Sequence, residues 1–161
     1  MYLALRALHV FSIVIFLGNI ITGLFWHAHA AGTRDARVLA HAIAGIIRSD
    51  RIFTIPGVVG ILVSGVVLAM KGRYPLLRTG WILWPVILFS ISGLAFMFQV
   101  APLQRKLHVM AQAGAEQGSF QFAAYRKLAM SWEWWGAIAL VTPLAALIIM
   151  ILKPALWPSS V

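Results

Sequence analysis

The chain contains no cysteine and only four acidic residues among its 161. The first absence excludes disulfides, thiolate metal sites and cysteine-ligated clusters. The second leaves no carboxylate pair for general acid–base work. Asp35, Asp50, Glu116 and Glu133 all lie between the long apolar stretches of the chain, so none is expected in a membrane core. That expectation argues against a carboxylate-based proton- or sodium-coupled transporter. Glu133 is expected to pair with a nearby arginine. A Ser/His/Asp order, a glycine-rich phosphate loop, low-complexity segments and internal repeats are lacking as well.

What is present is apolar. Four stretches, Leu3–His27, Phe53–Met70, Trp81–Leu103 and Trp134–Leu152, account for most of the chain, and Arg6 is the only charged residue inside them. A helix needs about 20 apolar residues to cross a bilayer core. In lipid such segments satisfy their backbone only as helices. The expected fold is therefore all-α: one integral membrane domain over 1–161, with spans at about 3–27, 53–70, 81–103 and 134–152. The first span is too long for a signal peptide and is expected to remain as a transmembrane helix.

The net charge of +9 comes from Lys and Arg residues that flank the spans. That placement suits lipid headgroups and makes nucleic acid an unneeded partner. With alternating helix directions, the two longer inter-span segments share one side. It carries Arg34, Arg37, Arg48, Arg51, Arg105, Lys106, Arg126 and Lys127; the terminal side carries Arg6, Lys71, Arg73, Arg78 and Lys153. The excess makes the loop side cytoplasmic and puts both termini outside. Trp26, Trp132, Trp134 and Trp135 mark the loop-side interface, and Trp81, Trp84 and Trp157 the other.

Within the first inter-span segment, Thr33 is placed to cap a short helix with Asp35 in its first turn. Leu39, Ile43, Ile46 and Ile47 fall on one face of it, and Arg34, Arg37, His41 and Arg48 on the other. The pattern predicts an amphipathic helix lying in the membrane interface between helices 1 and 2. In the second segment, Gly114 and Gly118 read as breaks, with a short helix from about Ser119 leading into the last span. Pro56 falls near the start of span 2; Pro85, Pro102 and Pro143 bend the later spans or lie near their ends.

Helix association in lipid depends on close backbone approach and on interhelical hydrogen bonds. Span 2 offers a small-residue face at Gly57, Gly60 and Ser64, and span 3 has Ser90, Ser92 and Gly93 at its middle. Span 1 has a stripe of His9, Ser12, Phe16, Asn19, Gly23 and His27 at helical spacing, expected to face the bundle interior.

His9 is the residue with the sharpest chemical reading. An intramembrane histidine is either a neutral core residue bonded to a neighbouring helix or a ligand for haem iron. As a haem ligand it would find its second axial partner in Met70 or Met150, or have none, and Arg6, Arg73 and Arg78 would be near for the propionates. Arg6 also lies close enough to the surface to snorkel. At the loop side, His27 and His108 are the candidate pair for a bis-histidine metal site, or for copper or zinc at the surface. His27 and His29, two residues apart, cannot share a face.

The segments "YLALRALHVFSIVIFLGNIITGLFW", "FTIPGVVGILVSGVVLAM", "WILWPVILFSISGLAF" with "APLQRKL", and "WWGAIALVTPLAALIIMILKP" resemble a family of bacterial integral membrane proteins classed as a domain of unknown function. That resemblance implies the four-helix topology and the bacterial inner membrane. The opening Arg6-Ala7-Leu8-His9 is more distantly similar to the first helix of the HemJ protoporphyrinogen-oxidase and CopD copper-resistance types, which implies haem b on His9. The leading expectation is a small haem-b or metal-associated membrane protein with a redox role. Two others stand beside it: a non-catalytic accessory or scaffold subunit of a larger membrane complex, and a small-solute transporter working as a homo-oligomer.

Overall fold

The computed structural model describes residues 1–158. Its elements are α1 (Tyr2–Thr33), α2 (Ala36–Ser49), a π turn (Asp50–Thr54), α3 (Ile55–Lys71), α4 (Gly80–Ala95), a second π turn (Phe96–Val100), α5 (Ala101–Gln117) and α6 (Phe122–Leu152). The backbone runs helically through both π turns. Four long helices result, Tyr2–Thr33, Ala36–Lys71, Gly80–Gln117 and Phe122–Leu152, each long and apolar enough to cross a membrane. The protein is a four-span α-helical bundle, as expected.

The helices are longer than the apolar stretches alone imply. At 1.5 Å per residue even α6, the shortest of the four, is about 46 Å long, against a hydrocarbon core of about 30 Å. The two loop-side segments are therefore helical extensions joined by tight connections, Arg34–Asp35 and 118–121. Gly114 lies inside α5; Gly118, with φ 66°, ends that helix in the left-handed conformation that glycine adopts without strain.

The amphipathic helix is present as α2, and its apolar face is covered by protein. It continues into α3, and Leu39, Ile43 and Ile46 are buried against α5. Asp35, rather than Thr33, is the N-cap, accepting from the Arg37 N–H at 2.7 Å. The physical reason for the packing is solvent. Beyond the lipid, apolar faces are driven together by water, and the main buried cluster (Leu39, Ile43, Leu107, Ala111, Tyr125, Ala129) forms in that half. The polar face, with Arg37, His41 and Arg48, stays exposed. Trp26 and Trp134 are exposed at the loop-side boundary, whereas Trp132 is only 2% exposed and points into the bundle, a correction to its reading as an interface marker.

Both π turns have a cause in sequence. Each is followed by a proline at the second position of the next helix, Pro56 and Pro102. A helical proline lacks the N–H its turn needs and crowds the carbonyl four residues back. A locally wider turn relieves that crowding without ending the helix.

In the terminal half, α1 packs on α3 and α4 on α6, while α4 has no Cα within 8 Å of α1 or α3. The α1–α3 seam uses the predicted small residues. A Cβ on Gly60 would collide with the Ser12 side chain, and one on Gly57 would sit 3.1 Å from the Phe16 Cβ. The α4–α6 seam is fastened by the Ser92 hydroxyl, which donates to the Ala139 carbonyl at 2.7 Å. The two pairs close together at the loop side and splay apart toward the termini.

Candidate functional site

The splay leaves a cavity of about 290 Å³ between the pairs, lined almost wholly by apolar side chains from α1, α3, α4, α6 and the α3–α4 connection. Its deep end is closed where Phe16 and Phe89 approach with ring centroids 5.4 Å apart. Pro85 and Pro143 both line it.

His9 is the main polar side chain on its wall, with Ser90. The His9 Nδ1 lies 2.9 Å from the Ser64 Oγ. The Ser64 hydroxyl already donates its one hydrogen to the Gly60 carbonyl. With that hydrogen engaged, the Ser64 oxygen is placed to accept from His9, in the tautomer that carries its proton on Nδ1 and keeps a lone pair on Nε2. Gly65 makes the fit possible, since a Cβ there would stand 3.1 Å from the His9 Cε1. Of the residues grouped with His9 at the sequence level, Met150 lines the same cavity, while Met70 is 71% exposed and takes no part in its lining. Arg6 is exposed, with its guanidinium 5.9 Å from the Tyr2 ring centre.

A second polar cluster lies beyond Phe16. Asp50, the first residue of the first π turn, is 8% exposed. Its Oδ1 accepts from the Asn19 Nδ2 and the Thr54 Oγ1, and its Oδ2 from the Gln104 Nε2, each at 2.9 Å. Asp50, which the sequence places on the loop-side segment between two spans, is thus buried inside the helical bundle. The polar residues before Phe53 hide the continuity of the helix, and with it the inward position of Asp50. Asn19 carried the available signal: an amide on the interior stripe of span 1 requires a buried partner.

The third cluster surrounds His27, which is fully buried. Its Nε2 lies 3.0 Å from the Tyr125 hydroxyl, its ring centre 4.7 Å from that of Trp132, and its Nδ1 3.5 Å from the Glu133 carboxylate. Arg126 donates to that carboxylate at 2.6 Å, the arginine pairing expected of Glu133. His108 is half-buried on α5 and makes no hydrogen bond to His27. Among the described residues no group of three or more His, Cys, Asp and Glu side chains is arranged to hold a metal ion. Tyr125 has no signal in the sequence, because nothing local marks a tyrosine 98 residues away as a histidine's partner.

Four membrane-length helices around a buried polar stripe define a multi-pass integral membrane protein. The chain belongs to the family described as "Predicted integral membrane protein (DUF2269)", which matches residues 3–154. No curated protein and no solved structure matches it. The similarity of the first helix to the HemJ and CopD types thus rests on Arg6-Ala7-Leu8-His9 alone.

Proposed function

We propose that this membrane protein holds an apolar cofactor between its α1–α3 and α4–α6 pairs, that the cofactor is haem b, and that its role is redox. The observation that carries the reading is His9: its Nδ1 is fixed by Ser64, which leaves the Nε2 lone pair beside an apolar cavity that Met150 also lines. The donor chemistry fits, because neutral imidazole and thioether both ligate haem iron. His9 would bind the iron, Ser64 would orient the ring as hydrogen-bond partners of ligating histidines do, and Leu76, Leu77 and Leu83 would keep water out. Bound haem would supply one-electron transfer. Arg6, Arg73 and Arg78, near the same end of the bundle, would serve the propionates.

The test is the visible spectrum of detergent-purified protein from haem-supplied cells, oxidised and then dithionite-reduced. The expected result is a Soret band with sharpened reduced α and β bands, lost in His9→Ala. A featureless spectrum at full haem supply removes this reading.

The same proposal sets the protein in the bacterial inner membrane with the helical extensions in the cytoplasm. Arg34, Arg37, Arg48, Arg51, Arg105, Lys106, Arg126 and Lys127 lie on the extension side, eight against the five at the other end of the bundle (Arg6, Lys71, Arg73, Arg78 and Lys153). Because the chain has no native cysteine, single cysteines at the exposed Ser119 and Tyr2 labelled in intact cells read the orientation directly; labelling at Ser119 from outside would reverse it.

A further inference from the structure

The His9 cavity leaves the Asp50 cluster unexplained. We propose that Asp50 is a proton-binding site of the bundle interior, loaded and unloaded through one water held beside it. The proposal is independent of the cofactor reading.

The carboxyl is enclosed by neutral groups. Asn19 comes from α1, Thr54 from its own π turn and Gln104 from α5. The faces of α6 and of the second π turn that line the adjoining space supply Trp132, Gly136, Ala139, Phe96 and Val100, none of them titratable. Arg48 and Arg51 on its own helix are exposed. Among the described residues the only carboxylate ion pairs involve Glu133. A buried charge without a counter-ion is costly, yet three donors aimed at the two oxygens favour the charged form. These opposed effects leave both protonation states within reach.

Beside Asp50 is a cavity of about 30 Å³, lined also by Asn19, Gln104 and Trp132. That volume is large enough for a water. Independently, the Trp132 Nε1 is buried with no hydrogen-bond partner. Buried N–H groups in folded proteins are almost always paired. A water in this space accepts from the Trp132 N–H and donates to Asp50, which satisfies the orphan and supplies the route. In the loading step hydronium gives its proton to the Asp50 carboxylate, leaving one neutral carboxyl and one water. The π turns bound the space: Asp50 opens the first, and Phe96 and Val100 of the second line the cavity. Such turns inside α-helices recur at functional positions.

The experiment is an infrared pH titration of the full-length protein reconstituted in lipid vesicles, following the stretching band of protonated carboxyls. With only four acidic side chains in the sequence, assignment by variants is direct. The expected result is a titrating band that is lost in Asp50→Asn, moved in frequency in Asp50→Glu, and shifted in midpoint by Trp132→Phe, which deletes the water's donor and keeps an aromatic ring in place. Circular dichroism identifies any variant that fails to fold, and Asp50→Glu and Trp132→Phe serve if Asp50→Asn does. An identical titration in wild type and Asp50→Asn overturns the proposal. So does loss of the band on adding sodium at constant pH, which would make the site one for an alkali cation.

Discussion

Ser92 on α4 and Ala139 on α6 are joined by a hydrogen bond that exists because of a proline. The Ala139 carbonyl lies four residues before Pro143, which has no N–H to offer it. The Ser92 hydroxyl, 2% exposed as a residue, takes that place at 2.7 Å. The break in one helix thereby becomes a link to its neighbour, as membrane helices require when a backbone group is freed.

The link makes a double-mutant prediction. Ser92→Ala leaves a buried carbonyl unpaired and should cost about 1–2 kcal/mol of stability. In a Pro143→Ala background the carbonyl regains a helical N–H, and the same change should cost clearly less. Thermal unfolding of the four proteins in one detergent measures the difference; equal costs in both backgrounds would show that the proline is irrelevant.

Ser64 should matter to the proposed cofactor only through His9. Ser64→Ala keeps the small volume of the α1–α3 seam but removes the acceptor that fixes the His9 tautomer. The expected loss of haem affinity is about 10-fold, the lower end for such supporting partners, against complete loss in His9→Ala. Haem titration of the apoprotein resolves the two. Unchanged affinity in Ser64→Ala would mean that the hydrogen bond does not orient the ligand.

Ile43 distinguishes a helix packed on protein from one lying on lipid. It is fully buried between α2 and α5. Ile43→Asp should open the loop-side extension, and limited proteolysis should then cut near Arg34, Arg37 and Arg48 many times faster than in the wild type, because a buried unpaired carboxylate is among the most destabilising changes. Resistance equal to that of the wild type would contradict the α2–α5 contact.

Tyr125 is predicted to be the anchor of the His27 cluster. Tyr125→Phe keeps the ring against Phe120, 5.4 Å away between centroids, but removes the hydroxyl facing the His27 Nε2. The cost should be about 1–3 kcal/mol, the penalty for a buried nitrogen left unpaired, read as a lowered unfolding midpoint. A midpoint within error of wild type would show that His27 finds another partner.

Much of the interior is legible from residue spacing. The stripe on span 1 does face inward: Ser12, Phe16 and His27 are buried, Asn19 bonds Asp50, and Gly23 meets Ile46. Gly57, Gly60 and Ser64 form the opposing surface. Helix boundaries are less legible, because a proline ordinarily signals a helix end. At Pro56 and Pro102 the chain instead widens into π turns and continues, which carries Asp50 from an expected loop into the bundle.

Solvent, span number and the inward faces follow from hydropathy and helical period, which are properties of each segment alone. The meetings of His9 with Ser64, Asp50 with Gln104 and His27 with Tyr125 do not, because they depend on how far each helix is rotated and shifted against the next. In lipid no hydrophobic force selects that rotation. It is chosen by close approach at glycines, by hydrogen bonds between helices, and by the turn through which each π segment reorients the helix after it. The cavity at His9 and the water-sized space at Asp50 are products of those choices, and they exist only in the assembled bundle.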